Sequence, residues 1–168
     1  EGDEDALLAR SAALQQGSEH PLAKAVLAAF AARNAGGGAA PTVREVRAVA
    51  GRGLRGTVDG RTLLLGSRRM MAEAGIDTAQ LAARADALAH EGCTVSWLGE
   101  LGLAEAGGVA PRLHGLLAFR DPPRANAAQA IAELRMLGVR TVMISGDNAG
   151  AAGAIARVLG IDDVRADV

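Results

Sequence analysis

Apolar positions recur at helical spacing in two runs near the start of the chain, residues 4–16 (Leu7, Leu8, Leu14) and 21–33 (Leu22, Val26, Leu27, Phe30), with Gly17 and Ser18 between them. The spacing predicts a helical hairpin. Residues 34–40, with three consecutive glycines, interrupt it and predict a surface loop. The period then shortens: Val43, Val46 and Val49 lead into Gly51-Arg52-Gly53, followed by Leu54 to Val58, Asp59-Gly60 and Arg61 to Leu65. Asp-Gly between two β-favouring runs predicts a hairpin. Helices are expected over 67–74 and 78–91, and strands over 94–101 and 113–119. Residues 1–116 therefore read as an antiparallel sheet flanked by helices, an α+β sandwich.

A different rhythm begins at Asp121-Pro122-Pro123-Arg124, where two prolines stop the preceding strand and the second is placed to open a helix over 124–137. Gly138, a strand over 139–144, a tight turn at Ser145 to Asn148, a helix over 149–159, Gly160 and a short strand over 164–166 follow. That order is β/α winding. It predicts a parallel sheet with ligands beyond the carboxyl ends of its strands, where Ser145 to Asn148 falls. There are too few strands for a complete doubly wound sheet. Residues 117–168 are expected to be part of a domain whose remainder lies before Glu1 and after Val168, and the lack of an initiator Met fits a piece of something longer.

Composition narrows the function classes. Apolar residues make up 49% of 168, enough for a core in one ordinary domain or one and a part, built from Leu, Val, Ile and Ala because Trp97, Phe30 and Phe119 are the only aromatics. So few rings argue against a base-stacking surface, and a formal charge of -1 argues against a basic nucleic-acid footprint. The lone Cys93 excludes an internal disulfide and fits a reducing compartment. No apolar run reaches the length of a membrane span.

Three segments carry candidate chemistry. In Ser18-Glu19-His20-Pro21, proline suits a first helical position, which leaves Ser18, Glu19 and His20 at the helix entrance. There an imidazole can stack on or bond a purine and a carboxylate can accept from an exocyclic amine; an ordinary capped helix beginning with a surface histidine has the same letters. Gly51-Arg52-Gly53 lets a backbone approach a flat ring or phosphate oxygens, and equally suits a β-bulge or turn. Gly66-Ser67 reads as a strand end and helix N-cap. Ser145-Gly146-Asp147-Asn148 offers a hydroxyl, a glycine amide and helix N-terminal amides, a phosphate cradle or a plain helix cap. Asp121 and Arg124 could reach a ribose or phosphate. Cys93, His90 and His114 are too scattered in the sequence to suggest a metal site and receive no role.

Taken jointly, Ser-Glu-His-Pro-Leu-Ala-Lys-Ala (18–25), Gly-Arg-Gly-Leu-Arg-Gly (51–56), Leu-Leu-Gly-Ser-Arg-Arg (64–69), Asp-Pro-Pro-Arg (121–124), Val-Met-Ile-Ser-Gly-Asp-Asn (142–148) and Ala-Ile-Ala-Arg-Val-Leu-Gly-Ile (154–161) resemble, in order, the large cytoplasmic loop of heavy-metal-transporting P-type ATPases. The His-Pro pair marks the metal-transporting branch. The resemblance implies a nucleotide-binding domain over 1–116 joined to part of an α/β haloacid-dehalogenase-like phosphorylation domain over 117–168. It assigns Glu19 and His20 to adenine, Gly51, Gly53 and Gly66 to the nucleotide pocket, Asp121 at the hinge to the ribose side, and Ser145, Gly146 and Asp147 to the transferred phosphoryl group. Ser145 stands where the family has Thr, and Ser67 where it has Asn. The stretch 102–112 is longer than the family's usual connection.

The family's phosphorylated Asp-Lys-Thr-Gly-Thr and its magnesium-holding Gly-Asp-Gly-x-Asn-Asp do not occur in these residues. The resemblance thus implies a piece that binds ATP without hydrolysing it and carries no catalytic aspartate. The parent would be a cytoplasmic portion of a membrane pump, using Mg2+ and partnered by its own membrane helices and actuator domain. The transported cation, copper as the lead, would be bound elsewhere. Two other readings are a fragment of a soluble haloacid-dehalogenase-type phosphatase and a non-catalytic α/β interaction module.

Overall fold

The computed structural model describes residues 3–34, 41–102, 110–120, 123–146, 149–166 and 168. Contacts divide the chain into two units, Glu1–Ala82 with Ser96–Leu117, and Ala83–Val95 with Ala118–Val168.

In the first unit α1 (Glu4–Leu14) and α2 (Pro21–Arg33) form the expected helical hairpin. Asp3 caps α1 by accepting from the Ala6 N–H at 3.0 Å. Arg33, in the last turn of α2, reaches back to Asp5 (3.2 Å) and Glu4 (3.4 Å). The sheet runs in chain order, β1 (Val43–Val49), β2 (Gly53–Val58), β3 (Arg61–Gly66), β4 (Thr94–Glu100) and β5 (Arg112–Phe119), and the first four strands pair antiparallel. Asp59 and Gly60 turn β2 into β3 with φ of 48° and 79° and close the register at Val58 opposite Arg61, the two-residue hairpin that Asp-Gly predicts.

Alternation along the strands sends Val58, Leu63, Leu65 and Leu98 to one face, where they bury against Ala13 and Leu14 of α1. The other face is covered by α3 (Arg68–Glu73) and the residues after it: a Cβ on Gly99, opposite Leu64, would sit 2.6 Å from Ile76 Cδ1 and 2.9 Å from Met71 Sδ. A helix on each face of an antiparallel sheet is the sandwich expected from the sequence.

The second unit holds α5 (Ala127–Met136), α6 (Ala149–Leu159) and a two-stranded parallel sheet of β6 (Val142–Ile144) and β7 (Asp163–Arg165), besides the greater part of α4 (Ala79–His90). Asp162 organises it, accepting from the Thr141 N–H (2.9 Å) and hydroxyl (3.0 Å) and from Arg135 (2.8 Å). The Thr141 amide, then its hydroxyl and Arg135, hold the Asp162 carboxyl below the usual aspartate range. Two strands cannot cover their own faces, and Ile144, Val142, Val158, Met136 and Leu137 are exposed.

Two expectations need correcting. Pro123 does not open a helix: the Arg124 carbonyl accepts from the Ala127 N–H (2.9 Å) in a turn, and α5 starts at Ala127 rather than 124. Strand β6 spans 142–144 rather than 139–144. Gly138 at φ 74° ends α5, its N–H donating to the Arg135 carbonyl and the Val139 N–H to that of Leu134, so Val139 is committed to the helix cap.

A partly buried polar chain threads the first unit, with His114 and Glu100 inside and Arg61 at the surface. Arg10 Nη1 donates to His114 Nδ1 (3.3 Å), the His114 Nε2–H donates to Glu100 Oε2 (2.8 Å), and Arg61 Nη1 reaches both Glu100 oxygens (3.3 Å each). Burial pushes the His114 imidazole below its ordinary value, against the pull of Glu100 and with help from Arg10 and Arg112. For Glu100 burial acts upward, but the His114 N–H and Arg61 outweigh it and the carboxyl lies below its usual value. A lowered histidine favours folding above its unfolded pKa of about 6.5 and withdraws that support as pH falls through it. Glu100 acts in the same sense below about 4.5. Urea unfolding should therefore show stability falling from pH 7.5 to 5.5, and His114→Gln should flatten that slope; an equal slope in the variant would remove His114 from the account.

Candidate functional site

The Ser18–Pro21 turn joins α1 to α2, and its geometry is set by helix capping. Pro21 is the first helical residue and His20 is the N-cap: its Nδ1 accepts the Leu22 N–H at 3.2 Å, and its own N–H donates to Ser18 Oγ at 3.3 Å. Thus the cap is His20, not Ser18 or Glu19. With Nδ1 engaged as an acceptor, the neutral ring carries its proton on Nε2, an exposed donor that helix formation leaves unused. Glu19 pairs with Lys24 at 2.8 Å with its side chain 91% exposed, so its carboxylate stands in water. At the end of α1, Gln15 is buried and its Nε2 donates to the Ser11 carbonyl at 3.4 Å. Gln15 carries no sequence signal of burial, because a glutamine pair at the end of a helical run reads as an exposed helix end.

The glycine segments do meet. Gly53 and Gly66 are register partners on β2 and β3, and their backbones approach so closely that neither has room for a side chain. A Cβ on Gly53, which lies at φ 147°, would fall on the Leu65 carbonyl oxygen and the Gly66 Cα; one on Gly66 would fall on the Arg52 carbonyl oxygen. The Ser67 N–H donates to that same carbonyl at 2.8 Å, and Ser67 Oγ caps α3 by accepting from the Met70 N–H at 3.3 Å. Gly51 differs. It turns β1 into β2 at φ 64°, with nothing within 4 Å of a would-be Cβ, and so presents bare backbone to open space.

An ion cluster ties this corner together: Arg52 (3.0 Å) and Arg69 (2.9 Å) both bond Glu73. Arg52, with Arg69 second, holds the Glu73 carboxyl below the usual range. No sequence signal connects Arg52 with a carboxylate on a separate helix. The α1–α2 turn is anchored to the same strand as Gly53, because Leu14 of α1 packs over Gly56 of β2, where a Cβ would lie 2.8 Å from Leu14 Cδ2.

In the second unit Ser145 and Gly146 follow the carboxyl end of β6 and precede α6. The Ser145 N–H donates to the Arg165 carbonyl at 2.9 Å and its carbonyl accepts from Val168 at 3.4 Å, which fixes the peptide at the strand end. Asp121, Asp147 and Asn148, together with most of 102–112, lie outside the described residues. Among the described residues no group of three or more His, Cys, Asp or Glu side chains could hold a metal ion, and no helix is long and apolar enough to cross a membrane.

Comparison with known proteins matches residues 3–168 to the family described as haloacid dehalogenase-like hydrolases. The chain is 38% identical over 167 residues to a silver exporting P-type ATPase of Salmonella typhimurium, covering 99% of this chain and 19% of that protein. It is 39% identical over 165 residues to a copper-transporting P-type ATPase of Rhizobium leguminosarum bv. viciae, covering 98% of this chain and 18% of that protein. Among solved structures, a zinc-transporting PIB-type ATPase in its E2.Pi state superposes with a TM-score of 0.73 at 32% identity, covering 99% of this chain and 24% of that one. The chain thus spans about a fifth of the length of the curated relatives it matches.

Proposed function

Because the chain belongs to the haloacid dehalogenase-like hydrolases, we propose that it is the ATP-binding cytoplasmic region of a P-type ATPase that moves a heavy-metal cation across a membrane. The observation that carries this reading is identity of 38–39% to silver and copper pumps along almost every residue of the chain. Residues 1–116 form the nucleotide-binding domain and 117–168 part of the phosphorylation domain. Copper or silver is the cargo that the curated relatives favour, while the zinc pump's structural likeness keeps zinc as the second reading. A soluble phosphatase of the same family would not need the Ser18–Pro21 turn or the Gly51 and Gly53 corner on a separate unit.

The residues suit a nucleotide in specific ways. His20 offers an Nε2–H or a ring face to adenine, Gly51 offers bare backbone, and Gly53 and Gly66 keep side chains out of the close strand contact next to it. Glu19 can serve adenine only by leaving Lys24. Ser145 and Gly146, at the end of β6, offer a hydroxyl and an amide to the phosphoryl group, with Asp147 assigned to the same group and Asp121 to the ribose side by the family resemblance. Mg2+ would supply charge neutralisation, but the described residues hold no ligand cluster that fits it. Without the phosphorylated aspartate, the chain's part in the reaction is positioning.

An isolated piece of the pocket should bind ATP with a dissociation constant of about 1 mM. The test is calorimetry or NMR titration with His20→Asn, which keeps an N-cap acceptor while removing the imidazole. Affinity should fall at least about tenfold, or 1.4 kcal/mol, with the fold intact. Equal affinity in the folded variant would refute the adenine assignment.

A further inference from the structure

The register sets Arg47 of β1 directly opposite Arg55 of β2, and Thr57 of β2 directly opposite Thr62 of β3. Together with Glu45 and Gly56 these four residues line a cavity of about 280 Å³. Arg55 and Thr57 lie two apart on β2 and share a face of the sheet, while Gly56 between them turns its Cα toward Leu14 of α1, so the Arg and Thr side chains stand on the face away from α1. Among the described residues neither guanidinium has an ion-pair or hydrogen-bond partner, and neither threonine hydroxyl is bonded within the protein.

Like charges placed directly opposite in an antiparallel pair oppose folding. Guarding the sheet edge does not account for them: β1 is the edge strand and its arginines would suffice, whereas Arg55 is on β2, inside the sheet. The cavity lies at the small end of ligand-site volumes, two forked donors converge on it beside two hydroxyls, and its lining carries a net charge of +1 from two arginines and Glu45. Glu45 is itself held at φ 54°, where the β1–β2 register shifts between Arg44 and Arg47.

We propose that this cavity is an oxyanion site for a phosphate-bearing ligand, with Arg47 and Arg55 clamping the phosphate oxygens and Thr57 and Thr62 donating to them. The phosphate comes either from a free phosphate compound or from the tail of a nucleotide resting near Gly53, which is two residues, about 7 Å, along β2 from Arg55.

The test is titration of the 168-residue chain with pyrophosphate, ATP and adenosine, followed by NMR. Pyrophosphate should shift the amides of β1–β3 around the cavity, and Arg47→Gln and Arg55→Gln should each weaken it about tenfold. Thr57→Val should weaken it without a change of charge, and Glu45→Gln should strengthen it. Arg157→Gln, the same charge change on α6, should leave it unaltered. Because Arg47→Gln removes a like-charge opposition, its loss of binding would come with thermal stability at least equal to the parent's. If the arginine variants weaken ATP but not adenosine, the phosphate is the nucleotide's own; if they weaken pyrophosphate and leave ATP unchanged, a separate phosphate compound uses the site. His20→Asn should spare pyrophosphate binding, which separates this proposal from the adenine assignment. No pyrophosphate binding, or an equal loss in Arg157→Gln, would overturn it.

Discussion

Gly66→Ala should destabilise the chain by about 2–4 kcal/mol, since a methyl forced against backbone overpacks at about 1–3 kcal/mol and also strains a hydrogen bond that contributes about 1 kcal/mol. The atom it meets is the Arg52 carbonyl oxygen, which already accepts the Ser67 N–H at 2.8 Å, and Gly53 Cα lies 2.9 Å away on the other side. Neither is a side-chain tip that could swing clear. Two strands would have to part, in a register that places Trp97 on the far side of Gly66. Gly51→Ala makes the contrast: its Cβ enters open space and the only cost is the left-handed backbone, about 1 kcal/mol. Urea or thermal unfolding of the two variants checks the pair. Gly66→Ala within 0.5 kcal/mol of the parent would show that the β2–β3 crossing relaxes. Because Gly51→Ala leaves most of the fold, its ATP affinity reports on nucleotide approach alone.

The glycines show how much of the site was legible in the sequence. That Gly51 and Gly53 serve a turn or a bare stretch of backbone beside β-favouring runs, and that Gly66 ends a strand, could be read from the sequence. That Gly53 and Gly66 approach each other could not, because register depends on the Asp59-Gly60 turn closing at Val58 opposite Arg61 and on nothing local to either glycine. The helices and hairpin were legible for the same reason: their signals, spacing and turn chemistry, are local. His114 is the opposite case. Its partners Arg10 and Glu100, and Arg61 beyond Glu100, come from three other elements, so spacing along the chain gives no hint of the partly buried chain they form. Pro123 misled because proline permits a helix start without requiring one, and the turn at Arg124 to Ala127 was the better use of the local backbone.

Leu14→Ala should cost about 2–5 kcal/mol, as expected for a leucine truncated in a packed core. Leu14 is 1% exposed, lies among Val58, Leu63, Leu65 and Leu98, and packs over Gly56, where the lack of a side chain on the strand makes room for it. The void left by Ala cannot be filled by neighbours on a paired strand. Leu14→Met keeps the volume and should cost less than about 1.5 kcal/mol. The residue also bears on binding, because it is the last of α1 and the chain reaches His20 six residues later through a turn closed by the Ser18 N–H on the Gln15 carbonyl at 3.1 Å. If the seat of α1 on β2 is what positions the imidazole, Leu14→Ala should weaken ATP binding even where the variant is fully folded, and Leu14→Met should restore it. Denaturation midpoints together with ATP titration at low temperature decide the matter. A folded Leu14→Ala chain with unchanged affinity would mean that α2 and its Pro21 start hold His20 by themselves, with stability lost and the site untouched.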